Sequence, residues 1–273
     1  MPPKGRSKND YQNKTSLEHV RDVPDTYIGS IEPRVISEWI FDFETEQMKK
    51  VEMDLSAGVK RVFLEILSNA GDNVRYSFSQ GINPGRIDFT FDQDGYLSIR
   101  NGGSPIPIEP HLKSTKDNLH LIPTDIFSVL YSSTNYDTTK DRIGAGRNGY
   151  GSKLTNCFSS HFIVMVGDSG RVDDNNEPIS GQEYIGEWRD QMKIMVKAEA
   201  IPGFSFKDGE WKRLKRGSYR GPAYTEVSWH LDFLKMNMPD EKYSINDLGL
   251  FSRYILEFSL TCGVPVTINK KLY

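Results

Sequence analysis

The stretch from Ala57 to Phe78, "AGVKRVFLEILSNAGDNVRYSF", constrains the fold more than any other. Its apolar residues Val59, Val62, Phe63, Ile66, Leu67, Ala70 and Val74 recur at steps of three and four, the period of a helix with one buried face. Such a stripe needs a second layer to cover it. The following sequence offers one. "RIDFTF" and "YLSIRN" turn Ile87, Phe89, Phe91 and Leu97, Ile99 to one side, joined by the turn "DQDG". Further strands are expected at "FIVMV", "YIGEWRD", "QMKIMVKAEAI", "TEVSWHLDF" and "PVTIN". Helices are expected at "TSLEHVRDVPDTYIGS", broken at Val23-Pro24, near "PTDIFSVLY", and at "INDLGLFSRYILEFSLTC". The pattern predicts an α+β chain: a two-layer α/β sandwich, its sheet mixed and mostly antiparallel, with helices on one face.

Composition narrows the setting. A chain of 273 residues can bury a substantial core, and its formal charge of −3 gives no global basic field. Cys157 and Cys262 cannot make a disulfide framework, which points to a reducing, intracellular environment. "MPPKGRSKND" is polar and basic with no apolar run after it, so it does not read as a secretory signal. No apolar run is long enough to span a membrane. Residues 1–14 read as a flexible strap and 15–273 as one domain.

The predicted helix from Ala57 also carries a polar edge. Glu65, Asn69, Asp72 and Asn73 fall within about one third of its circumference, beside the apolar face. Two readings stand. The edge satisfies itself through its own side-chain hydrogen bonds, or it faces a ligand. In the second reading an Asn oxygen is a hard ligand for a nucleotide's Mg²⁺, and a Glu one turn away polarises a water.

"GAGRNGYGSKL", Gly144 to Leu154, has the look of a phosphate cradle of an unfamiliar kind. Gly146 and Gly151 have P-loop spacing, but Ser152 precedes Lys153, the reverse of the P-loop order. Gly144, Gly146 and Gly149 match G-x-G-x-x-G, yet what precedes them is polar rather than a buried strand. The segment from Asn101 to Gly151 is rich in Gly, Pro, Ser, Thr and Asn, and a loop of that length inside a domain is usually functional.

In order along the chain stand "EILSNAGDN" (65–73), "RNGGSPIP" (100–107) and "GAGRNGYGSKL". This series resembles the ATPase domain shared by gyrase, the ninety-kilodalton heat-shock chaperones, histidine kinases and MutL, the GHKL or Bergerat fold. "KTSLEHVRDVPDTYIGS", "SSTNYD" and "GRNGYGSKL" are most similar to the eukaryotic and large-DNA-virus branch of type IIA DNA topoisomerases. The resemblance runs from about Tyr11 to Tyr273. It implies ATP and Mg²⁺ as cofactors. Glu65 would be the general base, Asn69 the Mg²⁺ ligand and Asn73 a further nucleotide contact. Asn101 would read the adenine amino group, supported by Thr225, which is equally well an ordinary strand residue. Ser133, Thr134 and Asn135 would meet ribose and phosphate. Arg147, Asn148, Gly149, Tyr150, Gly151 and Lys153 would line the cradle, with packing beneath the loop as the other reading of Tyr150. Tyr11 would reach the partner subunit of a homodimer, or be a plain tail tyrosine.

Two departures from that pattern stand out. Pro105 occupies the position where a second structural glycine is expected, and proline cannot take a positive φ. The Gln-Thr-Lys loop of a transducer and the DNA-cleavage modules are not found, so the chain is expected to be a fragment. Partners implied are ATP, DNA mainly through other domains, and a second subunit; the location implied is a nucleus or, for a virus, its factory or virion. "KDGEWKRLKRGSYRG", 207–221, reads as a solvated strand connection or as a DNA contact. Alternative functions are a chaperone or mismatch-repair switch, or a non-catalytic dimerisation module.

Overall fold

The computed structural model describes residues 14–130, 151–172, 178–214 and 219–273. Two short helices open it, α1 (Ser16–Asp22) and α2 (Pro24–Ile28). Thr15 and Glu18 form a capping box on α1, and Pro24 starts α2 where its missing N–H costs nothing. The break at Val23 is where the sequence places it. Next comes an antiparallel hairpin, β1 (Arg34–Asp42) and β2 (Gln47–Leu55), which the sequence reading lacks. Its period of two is blurred: Val35 and Trp39 are exposed, while the adjacent Ile40 and Phe41 are both buried against α6 (Ile245–Cys262).

The long helix α3 (Ala57–Ser79) is capped by Ser56, whose Oγ accepts from the Val59 N–H at 3.1 Å. Then follow β3 (Ile87–Phe91), β4 (Tyr96–Gly102), α4 (Ile122–Ser128) and α5 (Gly151–Cys157). After them come β5 (Ser159–Val172), β6 (Pro178–Arg189) and β7 (Ile194–Ile201). The remaining strands are β8 (Phe204–Lys207), β9 (Glu210–Arg213), β10 (Tyr224–Leu231), β11 (Val266–Ile268) and β12 (Lys271–Leu272). Eight of them form one sheet in the order β12-β11-β3-β4-β10-β5-β6-β7. Every pairing in it is antiparallel except β11 with β3.

One face of this sheet, carrying Leu97, Ile99, Val227 and Trp229, lies under the helices; Ser98, Arg100, Glu226 and Ser228 alternate onto the other. The layers meet at Phe63 of α3. Its ring stacks on Phe251 of α6 (centroids 4.2 Å, planes 10° apart) and meets Phe89 of β3 edge-on at 5.6 Å. Burying a side chain of this size contributes about 1.5–3 kcal/mol. The two-layer, mostly antiparallel expectation holds.

β8 and β9 form a separate hairpin at the start of the basic 207–221 stretch. Trp211 Nε1 donates to the Thr115 carbonyl at 3.0 Å, pinning the hairpin to a neighbouring loop.

Candidate functional site

The polar edge of α3 lies over the start of α5. A Cβ built on Gly151 would overlap Glu65 Oε2 and stand 3.4 Å from Glu65 Cδ and 3.7 Å from Asn69 Nδ2. Only a residue without a side chain allows a carboxylate and a carboxamide to sit so close to this backbone. Glu65 is held from the other side by an ion pair with Arg61, one turn back on the helix. Burial pushes the Glu65 carboxyl above its ordinary value, against the opposing pull of Arg61. Asn69 is exposed at the open rim.

Beside these groups lies a cavity of about 170 Å³. Whole-ligand pockets run to about 300–1,000 Å³, so this one has room for a flat ring system rather than a complete nucleotide. Its walls are mostly apolar: Ile66 and Ala70 of α3, Ile99 of β4, Val227 of β10, Ile106, and Ile126 with Phe127 of α4. The polar groups that reach it are Asn69, Asn73, Asn101, Ser152 and Thr225. Asn101 and Thr225 are direct cross-strand partners in the β4–β10 ladder. Positions 124 apart in sequence therefore stand side by side on the cavity floor.

Asn101 is 5% exposed, and both hydrogens of its side-chain NH₂ are committed. Nδ2 donates to Asn73 Oδ1 at 3.2 Å and to the Gly102 carbonyl at 2.8 Å. Asn73 in turn donates from Nδ2 to the Ser104 carbonyl at 2.9 Å. With both of its amide hydrogens given away, Asn101 can offer a ligand only its carbonyl oxygen, an acceptor for an amino group. Asp72, the fourth member of the polar edge, instead pairs with Arg75 at 3.5 Å and is not part of the cavity wall.

The second box resolves its own conflict. Gly103 has φ +107°, and a Cβ there would overlap Ser77 Oγ and lie 2.9 Å from Asn73 Oδ1. Pro105 is not among the residues of positive φ. The turn thus takes its left-handed step at Gly103, needs none at 105, and delivers Ile106 to the cavity wall.

Lys153 is 2% exposed on α5 and is not among the residues lining the cavity, although its neighbour Ser152 is. Burial lowers its ammonium to about 8, with Asp125 and Cys157 pulling the other way. Ser152, Arg61, Ile126 and Phe127 were not singled out in the sequence. Only Arg61 carries a legible signal, its i,i+4 relation to Glu65. Tyr11, Ser133, Thr134, Asn135, Arg147, Asn148, Gly149 and Tyr150 lie outside the described residues. In the basic stretch, Lys212 pairs with Asp208 and Glu210, each at 3.3 Å. Arg213 donates to the Ser180 and Ile108 carbonyls, so these two charges are held locally. Lys215 and Arg216 are not among the described residues. No described helix is long and apolar enough to cross a membrane.

No family profile matches the chain. Individual proteins do. It is 33% identical over 271 residues to DNA topoisomerase 2 of Candida glabrata, a match covering 98% of this chain and 17% of that protein. Against DNA topoisomerase 2 of Candida albicans it is 40% identical over 238 residues, covering 87% of the chain and 14% of the relative. The chain therefore spans about a sixth of the length of the relatives it matches. Among solved structures, the ATPase region of Saccharomyces cerevisiae topoisomerase II superposes with a TM-score of 0.77 at 32% identity, covering 97% of this chain and 62% of that one. The ATPase and transducer domains of the Balamuthia mandrillaris enzyme give 0.76 at 27% identity, covering 98% and 61%. Along almost its whole length, in sequence and in fold, the chain matches the ATPase region of DNA topoisomerase II.

Proposed function

We propose that this chain binds ATP with Mg²⁺ and hydrolyses it, as the nucleotide-operated gate of a type IIA DNA topoisomerase that passes one duplex through another. One observation carries the reading: the Glu65 carboxylate and the Asn69 carboxamide crowd the Gly151 backbone beside an apolar slot floored by Asn101 and Thr225. The slot suits a purine ring, and the Asn101 oxygen suits the exocyclic amine of adenine. Thr225 supports that contact from the adjacent strand, and Asn73 holds Asn101 in place.

Glu65 is the general base. It takes a proton from a water as that water attacks the γ-phosphorus, and the bond from phosphorus to the β–γ bridging oxygen breaks. A carboxyl raised by burial is a better proton acceptor than an ordinary one. Asn69 fits Mg²⁺, which keeps most of its water and phosphate ligands and needs only one or two oxygens from protein. Bound with the triphosphate, the ion would neutralise phosphate charge. Gly151 and Lys153 belong to the phosphate end, together with Arg147, Asn148, Gly149 and Tyr150; Ser133, Thr134 and Asn135 complete the ribose and phosphate contacts. Tyr11 belongs to a strap exchanged between two subunits of a homodimer, in the nucleus or a viral equivalent. DNA contact falls mainly to other parts of the enzyme, since Lys212 and Arg213 are held locally.

Two alternatives lose their support. The named relatives are DNA topoisomerases rather than chaperones or repair proteins. The non-catalytic reading drew on Pro105, which the turn accommodates without a positive φ. The test is Glu65→Ala. It should retain binding of ATP and lower turnover by about 10²–10⁴-fold, the usual worth of a general base. Hydrolysis at the unmodified rate would remove Glu65 from the chemistry.

A further inference from the structure

Four cations converge on an open groove of about 680 Å³ that shares no lining residue with the cavity beside Gly151. Lys14 stands just before α1 and Arg21 in its last turn. Lys193 comes from the turn between β6 and β7, and Lys235 from the turn that follows β10. Two acids, Glu18 and Asp22, share the wall, and each is already engaged. Glu18 Oε2 accepts from the Thr15 N–H at 2.7 Å and from the Thr15 hydroxyl at 2.8 Å, closing the capping box of α1. Asp22 Oδ2 accepts from Lys14 Nζ at 2.6 Å. Lys193 Nζ lies 3.0 Å from each carboxylate oxygen of Asp190. Both of these ion pairs are exposed, and pairs of that kind hold weakly enough for an incoming anion to take their ammonium groups.

Two cations are left over. The Lys235 backbone N–H donates to Asp232 Oδ1 at 3.0 Å, while its ammonium has no acid within ion-pair distance among the described residues. Arg21 is the stronger case. It is 8% exposed, and its one hydrogen bond among the described residues runs from Nε to the neutral Leu17 carbonyl at 3.3 Å. A charge so deeply buried is ordinarily paired, and here the terminal guanidinium nitrogens are left to whatever enters the groove they line. Their planar fork matches two oxygens of one phosphate.

The opposite bank is braced. Asp190, Gln191 and Met192 are three consecutive non-glycine residues of positive φ, at 50°, 57° and 66°, a conformation that strains the backbone. The run is fastened by the Asp190 N–H to the Ser160 carbonyl at 3.0 Å and the Gln191 N–H to the Ser159 carbonyl at 2.9 Å. Gln191, also on the groove wall, donates from Nε2 to Asp232 Oδ2 at 2.5 Å, tying the turn of Lys193 to the turn of Lys235. These two lysines therefore stand on fixed backbone.

We propose that this groove is a phosphate-binding site, in which Arg21 grips one phosphate through its fork and Lys14, Lys193 and Lys235 hold its neighbours at the rim. The groove is far larger than a single phosphate ion, so the ligand that fits it carries phosphates in series. Two sources have that chemistry: the backbone of a nucleic acid and a free polyphosphate.

The experiment titrates the intact chain, Arg21→Met, Arg21→Lys and Lys235→Gln with a short DNA duplex of mixed sequence and, separately, with inorganic tripolyphosphate. A saturating non-hydrolysable ATP analogue is present throughout, to keep both probes out of the other cavity. Methionine keeps the apolar stem of Arg21 without its charge, and lysine keeps the charge without the fork. Arg21→Met should weaken binding by about 10–100-fold, the worth of a charge-assisted hydrogen bond, and Arg21→Lys should recover part of the loss. Lys235→Gln should reduce the slope of log affinity against log salt for the duplex by about one, and weaken tripolyphosphate severalfold. A loss confined to the duplex assigns the site to a nucleic-acid backbone; a loss confined to tripolyphosphate assigns it to the free anion. Failure of the unmodified chain to bind either probe would overturn the proposal, as would affinities for both probes that neither Arg21→Met nor Lys235→Gln moves. Should Arg21→Met not fold, Lys235→Gln, at the rim, decides alone, and an unmoved salt slope together with unmoved tripolyphosphate affinity overturns the site.

Discussion

Replacing Gly103 by alanine tests how the second box is built. At φ +107° a side chain carries backbone strain of about 1–3 kcal/mol. The new methyl group would also overlap Ser77 Oγ, which is fully buried and holds two bonds: it donates to the Asn73 carbonyl at 2.7 Å and accepts from the Ser104 N–H at 2.8 Å. Moving Ser77 strands a buried donor, at a cost of about 1–3 kcal/mol. Together the two effects come to about 3 kcal/mol, which lowers Tm by about 6–12 °C for a domain of this size. The same methyl group would crowd Asn73 Oδ1, the acceptor of the Asn101 Nδ2 bond, so affinity for an ATP analogue should fall with stability. The companion change, Pro105→Gly, should leave the turn intact and cost only about 0.4–1 kcal/mol through a looser unfolded chain. Thermal unfolding and calorimetric binding on both variants decide the matter. If Gly103→Ala melts within about 2 °C of the unmodified protein, or if Pro105→Gly is the more damaging of the two, the turn is built otherwise than described.

Other expectations follow from single contacts. Arg61 favours the charged form of Glu65, so Arg61→Ala should raise the carboxyl further and shift the acid limb of ATP turnover to higher pH; a pH–rate profile that stays put would show the ion pair to be idle. Lys153 has a folded-state value near 8, below its ordinary one, so the unfolded chain binds the extra proton between these two values. Stability should therefore rise as pH climbs from about 8 to 10.5, by about 3 kcal/mol from this group. Lys153→Met should abolish that rise in urea unfolding curves, and an unchanged pH slope would count against the burial.

Much of this was legible before any coordinates. α3 is legible because seven apolar residues recur at helical spacing, and the polar edge of Glu65, Asn69, Asp72 and Asn73 follows from its geometry, while the roles expected of Glu65 and Asn69 come from the resemblance. The β3–β4 hairpin was equally plain from alternation and a turn. The partnership of Asn101 with Thr225 was not, because ladder register between distant strands is set by the sheet as a whole rather than by either segment. Pro105 looked like a conflict because local sequence cannot say which residue of a turn takes the left-handed step. The β1–β2 hairpin is not legible in the sequence because Val35 and Trp39 face solvent where a strand pattern would bury them. Asp125 was hidden for the opposite reason: a lone acid at a helix start ordinarily reads as a solvated first-turn charge, and only tertiary packing buries it.

The two hydrogen bonds from α5 to the carbonyls of α4, Ser152 Oγ to Ile126 at 3.4 Å and Asn156 Nδ2 to Phe127 at 3.1 Å, have a consequence for chain entropy. They clasp together the two feet of the intervening stretch, residues 131–150, so the entropy of bringing those feet into contact is met by the scaffold. Lengthening a closed chain is thermodynamically mild, about 0.6 kcal/mol for each doubling. A change in the length of chain between the feet would therefore leave the walls of the ring slot in register.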